Sequence, residues 1–222
     1  MFKHIQTTVL GLIAGLFSVT ASADVTIENA LGTTILEQPA QRIVTLYQGA
    51  TDAAIALGIK PVGVVESWVE KPVYGYLRQA LSGVTQVGLE TQPNLEAIAA
   101  LQPDVIIASQ VRHAKVFAQL EQIAPVVAHE TVFKFDETLE LVGAATGKSE
   151  QAAQWLKQWH ADAEKFQTEM AMKLAGEWPQ QVTMLNFRAD HARIYFQGFP
   201  GQVLADLGFE RPKEHMQDVW GM

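Results

Sequence analysis

Residues 93–109 read PNLEAIAALQPDVIIAS, a short helical segment followed directly by an apolar, β-branched run. A strand that is almost entirely apolar is typical of a parallel sheet covered by helices on both faces. Strands and helices alternate in the same way on either side of this stretch, as they do in α/β domains. The other predicted segments are the strands RIVTLY (residues 42–47), PVGVVE (61–66) and PVVAH (125–129) and the helices TDAAIALGI (51–59) and HAKVFAQLEQIA (113–124).

These segments predict an α/β lobe over residues 24–148. A weakly alternating pattern with an Asn-Ala-Leu-Gly turn at its start indicates a short leading hairpin. Thr51 or Asp52 is expected to be the N-cap of the first helix, because short polar side chains accept hydrogen bonds from the first turn.

The segment after residue 135 predicts a change of architecture. DETLELVGAATG (residues 136–147) indicates one helix, and residues 149–174 contain no Pro or Gly and repeat apolar residues at helical spacing. A helix of about 26 residues is roughly 39 Å long. We expect it to span residues 149–175 and to lead into a second α/β lobe. That lobe, residues 180–222, is expected to be incomplete, because typical domains have about 50 residues or more.

The N-terminus has the three parts of a secretory signal. Lys3 and His4 precede an apolar run over residues 9–19, and small residues ending at Ala23 fit a cleavage site. Without any cysteine the chain has no disulfide, no thiolate metal site and no lipid-modified cysteine. We therefore expect a protein that is cleaved after Ala23 and free in a bacterial periplasm. A formal net charge of −8 disfavours nucleic acid as a partner.

Candidate ligand-binding residues follow the predicted strands, because ligands of an open parallel sheet sit beyond the carboxyl ends of its strands. The segments at those ends hold three of the six arginines and several aromatic residues. Guanidinium groups present planar, paired donors to carboxylates, so these arginines indicate an anion with several charges. The candidates are Tyr47, Trp68, Arg112, Arg188, Arg193 and Tyr195.

Two of these arginines flank the stretch RADHAR, residues 188–193. Side chains alternate along a strand, so residues five apart on one continuous strand point to opposite faces. If Arg188 and Arg193 reach one ligand, the chain must turn at residues 189–191. Asp190 suits such a turn.

Most candidates also have a purely structural interpretation. Arg112 could be a solvated surface charge, Trp68 could cap the core, and His113 could simply start a helix. A zinc site would need His113, His129 and His191 to converge, although no short ligand spacing links them. The motifs of common hydrolases, nucleotide-binding enzymes and zinc proteases are absent, so we expect no catalysis.

Three stretches carry a resemblance to a known family: RIVTL (residues 42–46), QVGLETQPNLEAIAALQPDVIIAS (86–109) and RHAKVFAQLEQIAPVV (112–127). They resemble the periplasmic binding proteins that deliver ferric siderophores, ferric citrate among them, to ABC importers. The resemblance implies two Rossmann-like lobes with parallel sheets, joined by one long helix that allows little closure. It also implies that the chelator holds the iron, so that no protein metal ligand, cofactor or reaction is expected.

The resemblance implies roles for individual residues. Trp68 and Arg112 match first-lobe positions that line the ligand cleft. Arg188 and Arg193 match second-lobe arginines that hold the anionic oxygens of the chelate. Glu96 matches a surface glutamate that docks onto the permease of the importer. The expected protein is a monomer that contacts an ABC permease.

Two other classes of ligand remain open at this point. The same fold could bind haem or cobalamin, and Tyr47 or His113 would then be the axial ligand of haem. Direct transport of a divalent ion such as zinc or manganese would instead require the histidines to converge.

Overall fold

The structure, a computed structural model, describes residues 24–217 and residue 219. The predicted signal peptide, residues 1–23, lies outside the described residues. Within the described part of the chain, no helix combines the length and the apolar character needed to cross a membrane.

A six-stranded sheet forms the centre of the first lobe, and a hairpin precedes it. The hairpin pairs β1 (Val25–Asn29) with β2 (Gly32–Leu36). The strands of the sheet are β3 (Ile43–Thr45), β4 (Gly63–Glu66), β5 (Thr85–Leu89), β6 (Gln92–Pro93), β7 (Val105–Ser109) and β8 (Val126–His129). Their order is β6-β5-β4-β3-β7-β8, and every neighbouring pair is parallel except β5 with β6. The predicted parallel α/β sheet is confirmed.

Helices cover both faces of this sheet. They are α1 (Gln48–Ala56), α2 (Leu95–Ala100), α3 (Gln110–His113), α4 (Phe117–Leu120) and α5 (Phe135–Ala145). One face packs against the hairpin, α1 and α5, and the other packs against α2 and α4. Strands β7 and β8 are therefore buried along their whole length, as their almost entirely apolar sequences predict.

The first helix starts earlier than expected. α1 begins at Gln48 and has Tyr47 as its N-cap, so the prediction of Thr51 or Asp52 as N-cap is wrong. The Thr51 side chain is buried inside the first turn, where its hydroxyl lies 2.7 Å from that of Thr45 on β3. It ties the helix to the sheet instead of capping it.

The predicted helix over residues 113–124 is also interrupted. His113 is the last residue of α3 and not the first residue of a helix, and α4 starts only after Val116, which has a non-helical backbone. Strand β5 has no counterpart among the predicted strands. Its sequence TQVGL contains polar residues and a glycine, and Val87 is its one fully buried residue.

The long helix starts at the predicted residue and ends one residue before the predicted end. α6 (Ser149–Leu174) contains 26 residues. Beyond it, β9 (Met184–Phe187) pairs antiparallel with β10 (Ala192–Tyr195), and α7 (Phe199–Asp206) follows. The described strands of the second lobe thus form a hairpin, and a separate parallel bridge joins residues 181 and 210.

Helix α6 contacts both lobes. Ala152 and Leu156 belong to the core of the first lobe. Further along, Trp159 donates from Nε1 to Oδ2 of Asp206 in α7 at 2.8 Å, and Gln167 donates from Nε2 to the carbonyl oxygen of Asp206 at 2.8 Å. The helix therefore fixes the position of the second lobe relative to the sheet.

We predict that Ile107→Ala lowers the free energy of unfolding by about 2–5 kcal/mol, because Ile107 is fully buried in β7 and its loss leaves a cavity. The matched control is Ile35→Ala on β2, where the side chain is 61% exposed and the change should stay within about 0.5 kcal/mol. Urea unfolding followed by circular dichroism measures both. Equal losses would contradict the assignment of β7 to the centre of the core.

Candidate functional site

A cavity of about 660 Å³ lies between the two lobes. On the first lobe, Trp68 follows β4, and Arg112 lies in α3 directly after β7. The second lobe contributes the segment around its β9–β10 turn. The lining residues are Trp68, Val69, Arg112, Arg188, Asp190, His191 and Arg193. We call this the arginine cavity, because it brings together four of the six candidate residues, three of them arginines.

The turn between β9 and β10 places the second-lobe arginines. The backbone N of Arg188 donates to the carbonyl oxygen of His191 at 2.8 Å, which closes the turn. Arg193 donates from Nε to Nε2 of His191 at 3.3 Å. Because Nε2 accepts, Nδ1 carries the proton and donates to Oδ1 of Asp190 at 2.7 Å. The predicted turn at residues 189–191 is confirmed, and both arginines reach the same cavity.

A buried carboxylate supports the first-lobe wall. Glu90 is 4% exposed, and its Oε1 accepts from Nε of Arg112 at 3.1 Å. Its Oε2 accepts from Nε1 of Trp68 at 3.1 Å and from the backbone N of Gln48 at 3.3 Å. Cζ of Arg112 lies 5.8 Å from the centroid of the Trp68 ring, within the range of a cation–π contact. Glu90 therefore connects the ends of β4, β5, β7 and the start of α1.

The local sequence explains why Glu90 faces inward. It follows β5, and the chain returns at once as β6, antiparallel to β5. Gly88 has a φ of +93°, and a Cβ at this position would lie 2.8 Å from the backbone N of Asn94 and from the carbonyl oxygen of Gln92. Only glycine allows both this conformation and this close approach. The tight return then directs the carboxylate towards α3 and the loop after β4.

His113 fixes the backbone of Glu90. Its Nε2 lies 2.8 Å from the carbonyl oxygen of Glu90, which can only accept, so Nε2 carries the proton. The backbone N of Ser109 donates to Nδ1 at 3.0 Å. The ring is therefore the neutral tautomer, and burial lowers its pKa from the ordinary value of histidine. α3 thus holds Glu90 twice, through the Arg112 side chain and through His113.

The sequence prediction missed Glu90. Its contacts join residues 22 to 42 positions apart, and the strand before it was not recognisable from its composition. No local pattern marked Glu90, because the strand that would have placed it at this edge of the sheet was not predicted.

Two candidates lie outside the arginine cavity. Tyr47 is fully buried in the core, where its hydroxyl lies 3.2 Å from that of Thr138, and burial raises its pKa. The structure therefore does not support Tyr47 as a ligand contact. Tyr195 lines a separate, more apolar cavity of about 550 Å³ together with Phe187 and Phe199.

The three histidines of the alternative zinc site do not converge. His113 is bonded to the backbone of Ser109 and Glu90, His129 contacts Glu137 at 2.8 Å, and His191 contacts Asp190. Across the described residues, no group of three or more His, Cys, Asp or Glu side chains could hold a metal ion.

Glu96 lies on a different surface. It is exposed in the first turn of α2, a helix whose N-cap, Asn94, accepts from the backbone N of Ala97 at 3.0 Å. This position leaves the carboxylate accessible to another protein.

The comparison with known proteins identifies the family. A family model described as periplasmic binding protein matches residues 43–215. This chain belongs to the periplasmic binding protein family. The binding protein is 50% identical over 170 residues to the achromobactin-binding periplasmic protein of Dickeya dadantii, a match that covers 76% of this chain and 56% of that relative. It is 34% identical to the Fe(3+) dicitrate-binding periplasmic protein FecB of Escherichia coli, over 90% of this chain and 67% of that relative.

A solved structure supports the same assignment. The crystal structure of Staphylococcus aureus SirA complexed with staphyloferrin B superposes with a TM-score of 0.83 at 48% identity. The match covers 85% of this periplasmic binding protein and 65% of SirA. The chain therefore spans between about half and two thirds of the length of these relatives. The expected architecture of two lobes joined by one long helix agrees with these neighbours.

We predict that His113 makes the stability of the binding protein fall in mild acid. Its pKa is lowered in the folded state, so only the unfolded chain takes up this proton as the pH drops below about 6.5. The free energy of unfolding should then fall by up to about 1.4 kcal/mol per pH unit. His113→Gln should show a shallower slope between about pH 6.5 and 5, measured by urea unfolding at each pH.

The matched control is His160→Gln, on the exposed surface of α6. It should keep the pH slope of the unchanged protein. If His113→Gln also keeps that slope, the buried neutral ring is not the source of the acid sensitivity.

Proposed function

We propose that this protein captures an iron(III) siderophore or ferric citrate complex and delivers it to an ABC-type permease. The observation that carries the proposal is the arginine cavity, in which Arg112 of one lobe faces Arg188 and Arg193 of the other. Guanidinium groups bind carboxylate and similar oxygens through paired, charge-assisted hydrogen bonds. A ligand with several negative oxygens therefore fits between the lobes, and Trp68, which is 53% exposed, offers a flat apolar surface beside them.

The names of related proteins support an iron chelate as the cargo. Relatives are described as achromobactin-binding and Fe(3+) dicitrate-binding, and SirA is described as complexed with staphyloferrin B. In the proposed complex the chelator coordinates the iron, and the protein supplies hydrogen bonds and no metal ligand. The protein holds no cofactor and catalyses no reaction, since reversible capture is all that delivery requires.

The proposal includes a partner and a location. Glu96 docks onto the permease, because an exposed carboxylate on the first lobe can pair with arginines of another protein. The relatives named above are periplasmic, which supports a periplasmic protein cleaved after Ala23. We propose that it acts as a monomer.

The other ligand classes fit the contacts less well. The axial haem ligands suggested by the sequence, Tyr47 and His113, are both buried and hydrogen-bonded to the protein itself. His191 does line the cavity, but its two ring nitrogens contact Asp190 and Arg193. A zinc or manganese carrier would need His113, His129 and His191 at one place, but each has separate partners. The propionates of haem would use the three arginines only in part, and a bare divalent cation would be repelled by them.

We predict that Arg188→Glu and Arg193→Glu each weaken the binding of ferric citrate by at least about tenfold. Each change replaces a charged donor with a like charge facing the anion, and 1.4 kcal/mol corresponds to a factor of about ten. Isothermal titration calorimetry at fixed ionic strength measures the dissociation constants.

Arg78→Glu is the matched control. Arg78 is an exposed arginine that pairs with Glu70 at 3.5 Å and does not line the arginine cavity. It removes the same charge and should change the affinity less than about threefold. Normal binding by both cavity variants would show that these arginines are ordinary surface charges. If mixing with haem gives a Soret band and ferric citrate does not bind, the ligand is haem and not an iron chelate.

We predict that Glu96→Arg reduces delivery and leaves capture intact. Reversal of this exposed charge should lower stimulation of the importer ATPase, because it repels arginines on the permease. Chelate affinity should not change, since Glu96 does not line the arginine cavity. The control is Glu121→Arg, an exposed glutamate after α4. If the Glu96→Arg and Glu121→Arg proteins stimulate the ATPase equally, Glu96 does not belong to the docking surface.

A further inference from the structure

We propose that Glu90 is a positioning residue of the arginine cavity, which holds Trp68 and Arg112 in the arrangement that receives an anionic chelate. The proposal rests on the proposed function for its ligand. Glu90 does not line the cavity, and it acts through the two side chains that do.

The two oxygens of the carboxylate have different tasks. Oε1 binds Nε of Arg112, and Oε2 binds Nε1 of Trp68. Because the carboxylate takes the Nε donor, the terminal nitrogens of the guanidinium are the donors that can meet an oxyanion. The indole is held by its one polar atom, and Cζ of Arg112 lies over its ring at 5.8 Å from the centroid.

Neither side chain would keep this arrangement alone. Trp68 is 53% exposed, and the Arg112 side chain is 31% exposed. Exposed side chains lose rotamer freedom when they bind a ligand, and this loss opposes binding. Glu90 orders both before the ligand arrives, and a preorganised site binds more tightly. The backbone contact from His113 keeps Glu90 itself in place.

The sign of the effect separates positioning from electrostatics. Glu90 carries the same charge as the ligand, so its removal should strengthen anion binding if only the field of the cavity mattered. A positioning role predicts the opposite, because the guanidinium and the indole lose their common acceptor. A change to glutamine keeps the size of the side chain but places an amide NH₂ against one of the two donors.

The first test compares ferric citrate binding by Glu90→Gln, Glu90→Asp and Glu66→Gln, using isothermal titration calorimetry on the 222-residue chain. Glu66 ends β4, lies two residues before Trp68 and pairs with Lys71 at 3.0 Å, so its variant removes one negative charge from the same edge of the sheet. We expect Glu90→Gln to bind about tenfold more weakly and Glu66→Gln to bind equally or more tightly. Glu90→Asp keeps the charge but is one methylene shorter, and it should also bind more weakly. Circular dichroism establishes that each variant is folded, and Glu90→Asp carries the test if the glutamine variant is not.

The second test needs no ligand. The indole Nε1 proton of Trp68 gives an NMR signal that is identified by its loss in Trp68→Phe. Its exchange with solvent should be about tenfold faster in Glu90→Gln than in the unchanged protein, and unchanged in Glu66→Gln.

The two readings distinguish the possible failures. If ferric citrate does not bind the unchanged protein, the proposed ligand is wrong, and the exchange of the indole proton still tests the positioning. If the exchange rate does not change, or if both Glu90 variants bind ferric citrate as tightly as the unchanged protein, Glu90 is not a positioning residue.

Discussion

The buried Glu90 carboxylate is the interaction on which the first-lobe wall of the cavity depends. Four separate chain segments meet at this residue: the loop after β4, the β5–β6 return, the start of α1, and α3. A carboxylate without partners would not be stable in such a place, because burial of an unpaired charge is costly. Trp68 and Arg112 stabilise the buried charge by hydrogen bonding to it, and the charge in turn orders these two side chains. Gly88 makes the arrangement possible, because the chain could not return so closely with any side chain at that position.

The opposite wall is ordered in a different way. There the β9–β10 turn holds Arg193 through His191, which is in turn held by Asp190. Helix α6 relates the two walls, because it packs into the first core and binds Asp206 of the second lobe from two positions. A direct contact adds to this, since Gln202 donates to Oδ2 of Asp136 at 2.7 Å. The distance between the arginines of the two lobes is therefore set by a continuous helix and not by a flexible linker.

Much of this architecture could be predicted from the sequence, for identifiable reasons. Strands β7 and β8 are apolar except for their last residues, and α6 has no Pro or Gly between residues 149 and 174, so the local sequence pattern predicted these elements. The turn at residues 189–191 followed from the requirement that two arginines share a ligand. Position after a strand does not reveal the direction of a side chain, however. Tyr47 and Trp68 occupy similar positions, yet one enters the core and the other enters the cavity. Glu90 could not be recognised because its meaning lies entirely in contacts across the fold.

The aromatic residues along α6 have a consequence for spectroscopy. Trp155 and Trp159 stack at 6.4 Å beside Phe135, and Trp178 packs against Phe166 and Phe209 at the start of the second lobe. Among the tryptophans that the structure describes, these three report on the contact between helix and lobes, whereas Trp68 reports on the cavity. Intrinsic fluorescence thus contains two signals of different origin. If adding ligand changes the emission of a Trp68→Phe protein, the change comes from the tryptophans at the contacts between α6 and the lobes. Such a change would record movement of the lobes, because no contact between ligand and the Trp68 indole is left.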